Sequence, residues 1–286
     1  MSRIDIHKTY KMYIGGKFPR TESGRYYAVN DKKGNFIANM CLGSRKDFRN
    51  AVVIARKAQK SWAGTTAMNK GQILYRIAEM LEGRRAQFVA ELITQGESEK
   101  DANLEVDTAI DRLVYYAGWS DKYQQFFSSV NPVSSAHFNF SCLEPVGIIA
   151  MIASENQGLL GLVSIIAPAI VGGNTVIVLA SESKPMTAIS FAEALNSSDV
   201  PGGVVNIITG NRSELFSHMA SHMDVNTILY CGQDDKMMTE INELASNNLK
   251  RTIFHKKHDW LAADCESPYM IEKTQEVKTT WHPTKV

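Results

Sequence analysis

The sequence predicts an α/β protein in which a parallel sheet follows a layer of amphipathic helices. From residue 146 onward, short apolar runs alternate with helical segments, and the connections between them are short. This alternation is typical of right-handed βαβ units. Residues 146–152 form a near-continuous apolar run, as in a strand that is buried on both faces. Residues 44–127 instead carry apolar positions at helical spacing with charges between them.

The N-terminal part predicts a hairpin, a strand and four helices. Gly15-Gly16 permits the positive φ of a tight turn within residues 13–17, and residues 36–40 follow a second turn. A helix is expected to begin near Ser44, because serine favours the N-cap and Asp47 suits the first turn. Three further helices are predicted, over residues 68–85, 86–95 and 102–127.

The second half predicts strands and helices in alternation. Asn131-Pro132 interrupts the helices, and residues 138–143 then alternate with period two, as a half-exposed strand does. The region from about residue 260 to 273 is polar and irregular, while residues 277–281 alternate weakly and are consistent with a last edge strand. The elements expected between these two regions are strand 146–152, helix 159–171, strand 175–179, helix 186–196, strand 204–208, helix 213–221 and strand 227–230.

Composition excludes several classes of protein. The net charge of +1 provides no broad field for nucleic acid or acidic membrane, so neither is expected as a partner. The longest apolar stretch, residues 158–173, is too short to span a bilayer. The 4 cysteines have no paired spacing and residues 1–16 contain no secretory signal, which favours reduced thiols in the cytoplasm.

Several ordered segments resemble the aldehyde dehydrogenase superfamily, and together they cover most of residues 10–254. Several spaced segments in the same order are a more specific signal than one glycine motif. The segments that carry the resemblance are residues 144–149 (EPVG), 167–169 with 173–176 (APALA and GNTVV), 201–210 (PPGVVNIVTG), 222–225 (HMDVD), 13–17 and 58–62.

The resemblance is closest to aldehyde dehydrogenase family 16, whose C-terminal part is similar in being a truncated copy without a catalytic domain. It implies a Rossmann-type parallel sheet with an N-terminal helical layer and oligomerisation strands, and it implies that the catalytic domain is absent. The implied division of the chain is a hairpin and helical layer of the cofactor-binding domain (1–130), an oligomerisation strand (131–145), a Rossmann-type α/β region (146–260) and a tail with a terminal oligomerisation strand (261–286).

The resemblance predicts no catalytic residue. Aldehyde oxidation needs a cysteine thiolate, a general base, donors for the oxyanion and a nicotinamide cofactor. His255 stands where the family has its general-base glutamate, and Cys265 is the only later cysteine. Cys265 is too near and lacks the usual flanking residues, so it is interpreted as an inert or loosely exposed thiol. Asn156 keeps the position of the oxyanion-hole amide, although it also suits a capping role at the helix start.

The cofactor-binding residues have changed in part. Glu155 replaces a tryptophan, Leu179 replaces the ribose-binding lysine, and Gln233 replaces a serine. We therefore expect binding of NAD or NADP to be weak or absent. The positions to which the resemblance assigns cofactor contacts are Ile152, Asn156, Glu182, Gly210 and Gly232.

Two other patterns leave alternatives open. Arg212 lies at a helix start and could receive an anion there, or it could be a solvated side chain. His218 and His222 lie at the i, i+4 spacing that chelates zinc on a helix, but no glutamate follows His218, and we predict no metal site.

Three hypotheses about function follow. The first is a non-catalytic structural or regulatory subunit that assembles with itself or with a full-length NAD-dependent aldehyde dehydrogenase. The second is an NAD(P)-dependent aldehyde oxidoreductase that is active only in complex. The third is a regulator that binds a nucleotide without chemistry.

Overall fold

The structure is a computed structural model and describes residues 7–31, 33–256 and 258–284. The strands are β1 (Thr9–Tyr10), β2 (Tyr26–Asn30), β3 (Phe36–Cys41), β4 (Ser129–Asn131), β5 (His137–Pro145), β6 (Ile148–Ile152), β7 (Thr175–Leu179), β8 (Val205–Ile208), β9 (Thr227–Cys231), β10 (Arg251–His255) and β11 (Gln275–Pro283). The helices are α1 (Arg45–Ala63), α2 (Ala67–Gly83), α3 (Arg85–Thr94), α4 (Glu99–Trp119), α5 (Tyr123–Phe127), α6 (Leu160–Val171), α7 (Met186–Asn196), α8 (Arg212–Ser221), α9 (Asp235–Ser246) and α10 (Tyr269–Glu272).

A five-stranded parallel sheet forms the centre of the fold, in the order β10-β9-β6-β7-β8. Strand β6 pairs with β7 on one side and with β9 on the other, so the strand order reverses between β6 and β9. All side chains of β6, β7, β8 and β9 are buried. The predicted Rossmann-type α/β architecture is therefore confirmed.

Helices cover both faces of this sheet. Ile149 and Met151 of β6 join the hydrophobic cluster that contains α4, α6 and α7, while Ile148, Ala150 and Ile152 join the cluster on the opposite face with α1, α8 and α9. Helix α6 is buried along its whole length, which explains its uniformly apolar sequence.

The N-terminal helical layer forms as predicted, with one difference. Ser44 and Asp47 cap α1 reciprocally: the Ser44 hydroxyl accepts from the Asp47 amide at 3.2 Å, and the Asp47 carboxylate accepts from the Ser44 amide at 2.9 Å. The helix predicted over residues 102–127 is two helices, α4 and α5, separated by a turn near Ser120.

A second sheet is antiparallel, with the order β11-β5-β4. Strand β11 pairs with β5 along nine residue positions, from Gln275 opposite Pro145 to Pro283 opposite His137. The predicted strand at residues 138–143 and the weaker one at 277–281 both exist, and each is longer than its pattern indicated. The outer side of β11 has no neighbouring strand among the described residues, so β11 is an edge.

The chain after β10 is folded, in contrast to the predicted polar, irregular region. We call residues 258–273 the post-β10 segment; it contains a short 3₁₀ helix, Ala263–Cys265, and α10. The segment is partly irregular, as expected, but the polar interpretation is wrong because four of its side chains are buried. Those side chains are Trp260, Cys265, Met270 and Ile271.

A buried cation attaches this segment to the helical layer. Arg112 of α4 is 1% exposed, and its guanidinium donates to the carbonyl oxygens of Trp260 at 3.0 Å and Cys265 at 3.1 Å. A Cβ atom added to Gly161 of α6 would lie 2.9 Å from the Trp260 indole nitrogen, so the glycine allows this close contact. The post-β10 segment is therefore part of the core.

In the part of the chain that the structure describes, no helix combines the length and apolarity that crossing a bilayer would require. All four cysteines are free thiols.

Candidate functional site

The cleft that contains most of the sequence-predicted site positions lies at the carboxyl ends of β6, β9 and β10. Its volume is about 460 Å³. It opens where the strand order reverses between β6 and β9, the position at which open α/β sheets bind their ligands. The residues that line it are Ser154, Glu155, Asn156, Glu182, Arg212, Ser213, Tyr230, Cys231, Gly232, Gln233, Asp234, Met237, His255, His258 and Trp260.

The fold brings together some of the sequence-predicted positions and separates others. Asn156, Glu182, Gly232 and His255 all line the cleft. Ile152 is fully buried in the core at the end of β6, and Gly210 packs under the cleft against Gly43, where an added Cβ would lie 3.2 Å from the Gly43 nitrogen. Neither residue is among those that line the cleft.

His255 is a buried, neutral imidazole. It is 3% exposed, and burial lowers the pKa of its ring to about 3, with additional repulsion from His258 and Lys273. Its ring centroid lies 4.7 Å from that of His258 and 5.4 Å from that of Trp260, and its Nε2 has no hydrogen-bond partner in the described structure. The ring is therefore part of an aromatic cluster at the wall of the cleft.

The thiols near the cleft are held in the protonated form. Burial raises the pKa of the Cys231 thiol to about 12 and that of Cys265 to about 11. Cys231 pairs in register with His255 on the adjacent strand, yet among the described residues no hydrogen bond joins the two side chains. Cys265 is 2% exposed, so the interpretation of a loosely exposed thiol is wrong, whereas a buried, protonated thiol is chemically inert.

Asn156 does not cap the following helix. It is exposed in the loop after β6, and its own backbone amide donates to the Ser154 hydroxyl at 3.1 Å. The amides of Leu159 and Leu160 at the start of α6 instead donate to the carboxylate of Glu105, at 2.8 and 3.1 Å. The capping interpretation of Asn156 is therefore wrong, and the cap comes from α4.

The sequence analysis missed Glu105, whose buried carboxyl group caps helix α6. It is 3% exposed, and burial raises the pKa of its carboxyl group despite the two amide donors. Its signal was visible in the sequence, since it is an acidic residue directly beside Val106, Ala109 and Ile110 on the apolar stripe of α4. An acidic residue on an apolar helix face requires a specific partner.

The helix start at Arg212 is occupied by groups of the chain itself. The Arg212 guanidinium lies 2.6 Å from the Glu155 carboxylate and also donates to the carbonyl of Ala153. The backbone amide of Arg212 donates to the carboxylate of Glu182. Arg212 is thus neither solvated nor available to an external anion in this arrangement.

Glu155 is ionised within this network. Burial alone would raise the pKa of its carboxyl group, but the Arg212 charge and the hydroxyls of Ser183 and Ser181 outweigh burial and hold it below its usual range. The tryptophan-to-glutamate change noted in the sequence therefore introduces a partly buried ion pair on the cleft wall.

His222, the second of the two histidines at i, i+4 spacing, contacts neighbouring groups of the chain. His222 follows the end of α8, its Nδ1 accepts from the Asp224 amide at 3.2 Å, and its ring packs edge-on against Phe48. Within residues 7–31, 33–256 and 258–284 no three metal-ligating side chains come together.

The fold and much of the sequence match known proteins. The model of the aldehyde dehydrogenase family matches residues 18–256. Aldehyde dehydrogenase, cytosolic 1, from Elephantulus edwardii is 32% identical over 259 residues, which are 88% of this chain and 50% of that protein. Omega-crystallin from Enteroctopus dofleini is 31% identical over 249 residues, with coverage of 85% and 50%.

A solved structure gives the same result for the fold. The NAD+ complex of aldehyde dehydrogenase from Bacillus cereus superposes with a TM-score of 0.83 at 23% identity, over 87% of this chain and 51% of that chain. The chain spans about half the length of the curated relatives that it matches. Because the family model covers most of its residues, the chain belongs to the aldehyde dehydrogenase family.

Proposed function

We propose that this chain is a non-catalytic, aldehyde-dehydrogenase-like subunit that assembles through the sheet β11-β5-β4. Its partner is a second copy of itself or a full-length NAD-dependent aldehyde dehydrogenase. The resemblance to the truncated part of aldehyde dehydrogenase family 16 and a cytoplasmic location, suggested by the free thiols, belong to the same proposal.

The chemistry of the cleft supports a non-catalytic role. Covalent aldehyde oxidation requires a thiolate, and the pKa of Cys231 is raised to about 12. The base position carries His255, whose buried Nε2 has no partner among the described residues. Asn156 still reaches the cleft, but an oxyanion donor without a nucleophile has nothing to stabilise.

The single observation that carries the assembly proposal is the exposed edge strand β11. It is nine residues long, and its outer backbone groups have no strand partner among the described residues. Val277 is 65% exposed and Trp281 is 58% exposed on this strand. A long edge strand with apolar side chains is a template for pairing with another chain.

The faces of the same sheet add apolar surface beside this edge. Val130 of β4 and Phe138 of β5 are exposed, and Phe140 lies in register with Val130 and with Thr280. Val130, Phe138 and Phe140 border a shallow groove of about 340 Å³. Exposed apolar residues that cluster on one sheet favour an interaction surface over isolated surface residues.

The test is the mass of the chain in solution, alone and mixed with a full-length aldehyde dehydrogenase, by light scattering after size exclusion. We expect an oligomer or a mixed complex, and Val277→Asp should shift it toward monomer because a charge enters the apolar edge. The same substitution at Val53, which is 48% exposed on α1, is the matched control and should leave the mass unchanged. A chain that stays monomeric alone and with the dehydrogenase would contradict the proposal.

A nucleotide-binding regulator is the second candidate, favoured by the position of the cleft at the reversal of strand order. Two features oppose nucleotide binding. Leu179 offers no ribose contact, and the Glu155–Arg212 ion pair lies on the cleft wall. Calorimetry with NAD and NADP separates the candidates, because a purely structural subunit gives no binding heat. Nicotinamide reduction with assorted aldehydes in the assembled complex tests the remaining alternative of an enzyme that is active only in complex.

A further inference from the structure

The backbone groups of β11 point alternately toward β5 and away from it. The Thr284 amide, one residue beyond the strand, donates to the carbonyl of Ala136 at 3.0 Å, so the groups of Thr284 face β5. In an antiparallel strand, successive residues direct these groups to opposite sides. The register with β5 has no shift along β11, so the odd-numbered residues point outward. These outward residues are Gln275, Val277, Thr279, Trp281 and Pro283.

Both ends of this outer edge are closed to a further strand. The Gln275 carbonyl accepts from the Arg251 guanidinium, which also lies 3.1 Å from the Glu276 carboxylate. Pro283 has no amide hydrogen to donate. The outward amides and carbonyls that have no strand partner among the described residues therefore belong to three residues, which we call the outer triplet. The outer triplet is Val277, Thr279 and Trp281.

The outer triplet is complementary to a second copy of itself. When two β11 strands run antiparallel about a twofold axis at Thr279, this residue stands opposite its own copy, and Val277 stands opposite Trp281 of the second copy. Opposite residues whose backbone groups face each other exchange both of their hydrogen bonds, so every outward amide and carbonyl of the triplet is paired. Val277 and Trp281, which are 65% and 58% exposed, also meet as a cross-strand pair of apolar side chains.

The other face of β11 is compatible with the same axis. It places Glu276 opposite His282 of the second copy and Lys278 opposite Thr280. Like charges that stand directly opposite each other destabilise a sheet, and this arrangement contains none at those positions. Lys278 is also paired with Glu144 of β5 at 2.8 Å, so its charge is offset within its own chain.

Axes nearer the start of the strand fit less well. An axis at Val277 would require the Gln275 carbonyl, which Arg251 already occupies, and it would leave Trp281 outside the paired region. An axis at Lys278 would place this lysine opposite its own copy.

Axes nearer the end of the strand fit less well for a different reason. An axis at Thr280 would place Val277 opposite Pro283, and an axis at Trp281 would place Thr279 opposite Pro283. Pro283 cannot donate to the carbonyl that it would face. Among these axes, only the one at Thr279 pairs the outer triplet entirely with itself.

We propose that two copies of this chain associate through β11 about a twofold axis at Thr279, so that the sheets β11-β5-β4 of both copies join into one antiparallel sheet. This inference rests on the proposed assembly through the same sheet and adds the partner, a second copy of the chain, and the register. A twofold interface uses the same surface on both copies, so the association closes at a dimer.

The test is a set of single cysteine variants that are oxidised mildly and separated on a non-reducing denaturing gel. All carry Cys142→Ser, because the other native cysteines are buried. In Thr279→Cys the two Cα atoms lie about 5.5 Å apart across the axis, within the range that a disulfide bridges, and we expect a covalent dimer. Val277→Cys is the matched control. It lies about 14 Å from its own copy, so we expect no covalent dimer.

A mixture of two variants tests the register a second time. Val277→Cys mixed with Trp281→Cys should form a covalent dimer, because these positions stand opposite each other across the axis. Neither variant should form one alone. Light scattering of the unmodified chain over a range of concentrations should show a change from the mass of one chain to the mass of two.

The outcomes separate this inference from the proposed function. A dimer in solution without a disulfide in Thr279→Cys, or with one that forms equally fast in Val277→Cys, would overturn the register and leave assembly through the sheet in place. A complex with a full-length aldehyde dehydrogenase, without association of the chain with itself, would overturn the inference alone. A chain that stays monomeric alone and in that mixture would contradict both.

Discussion

The two main sheets of this molecule differ in what covers them. The parallel sheet lies between helices, and every side chain of β6, β7, β8 and β9 is buried. The antiparallel sheet β11-β5-β4 leaves apolar side chains exposed and one long edge unpaired among the described residues. The chain itself covers the first sheet, whereas the exposed apolar side chains of the second can be buried only against another molecule.

The largest loss of stability is expected from a substitution in the post-β10 segment, which packs in the helix-covered core. Trp260 is fully buried against α6, so Trp260→Ala should lower the free energy of unfolding by about 3–5 kcal/mol, as large cavities do. Urea denaturation measures it. Trp281→Ala on exposed β11 is the matched control and should have little effect in the monomer. A small loss for Trp260→Ala would mean that the segment is not part of the helix-covered core.

An intermediate loss of unfolding free energy is expected when a valine is replaced by alanine in the parallel sheet, and a much smaller one when the same replacement is made in the antiparallel sheet. Val176→Ala in β7 removes two fully buried methyl groups and should cost about 1.5–3 kcal/mol of unfolding free energy. Val277→Ala in β11 should change it by less than about 0.5 kcal/mol in dilute protein. If assembly covers β11, the Val277 effect should grow with protein concentration. Equal losses at high dilution would remove the distinction between the sheets.

The smallest effect concerns pH and His255. The folded-state pKa of about 3 lies below the unfolded value, so the folded chain binds fewer protons and loses stability as pH falls from about 6.5 toward 3. Between pH 7 and 5 this loss is about 2 kcal/mol. His255→Gln should remove it, which urea denaturation at both pH values would reveal. An unchanged pH dependence in the variant would mean that His255 is protonated at little cost in the folded chain.

Patterns of apolar residues predicted most of the fold. Because β6 and β7 are buried on both faces, their sequences are near-continuous runs of apolar residues. The same reasoning failed for β10 and α9, which the sequence analysis did not identify. Helix α9 carries Met238, Ile241 and Ala245 at helical spacing after an Asp234 cap, so its signal was present; β10 is only partly buried and lies between basic residues.

The site was less predictable because its contacts join distant parts of the chain. The resemblance located the cleft through Asn156, Glu182 and Gly232 and indicated that Glu155 had changed. That Glu155 pairs with Arg212 depends on the loops after β6 and β8 meeting at one sheet edge, which no local pattern encodes. Likewise, the role of Glu105 as the cap of α6 depends on how α4 packs.

Arg112 has a consequence for the order in which the chain folds during synthesis. Its guanidinium is buried between α4 and α6, and two of its acceptors are carbonyl groups of Trp260 and Cys265. A nascent chain that has emerged only as far as α9 would hold a cation with incomplete partners inside an apolar layer, which is costly. The helical layer can therefore reach its final packing only after residues 260–265 have left the ribosome. Through Arg112, the packing of the N-terminal helices depends on a segment that is synthesised near the end of the chain.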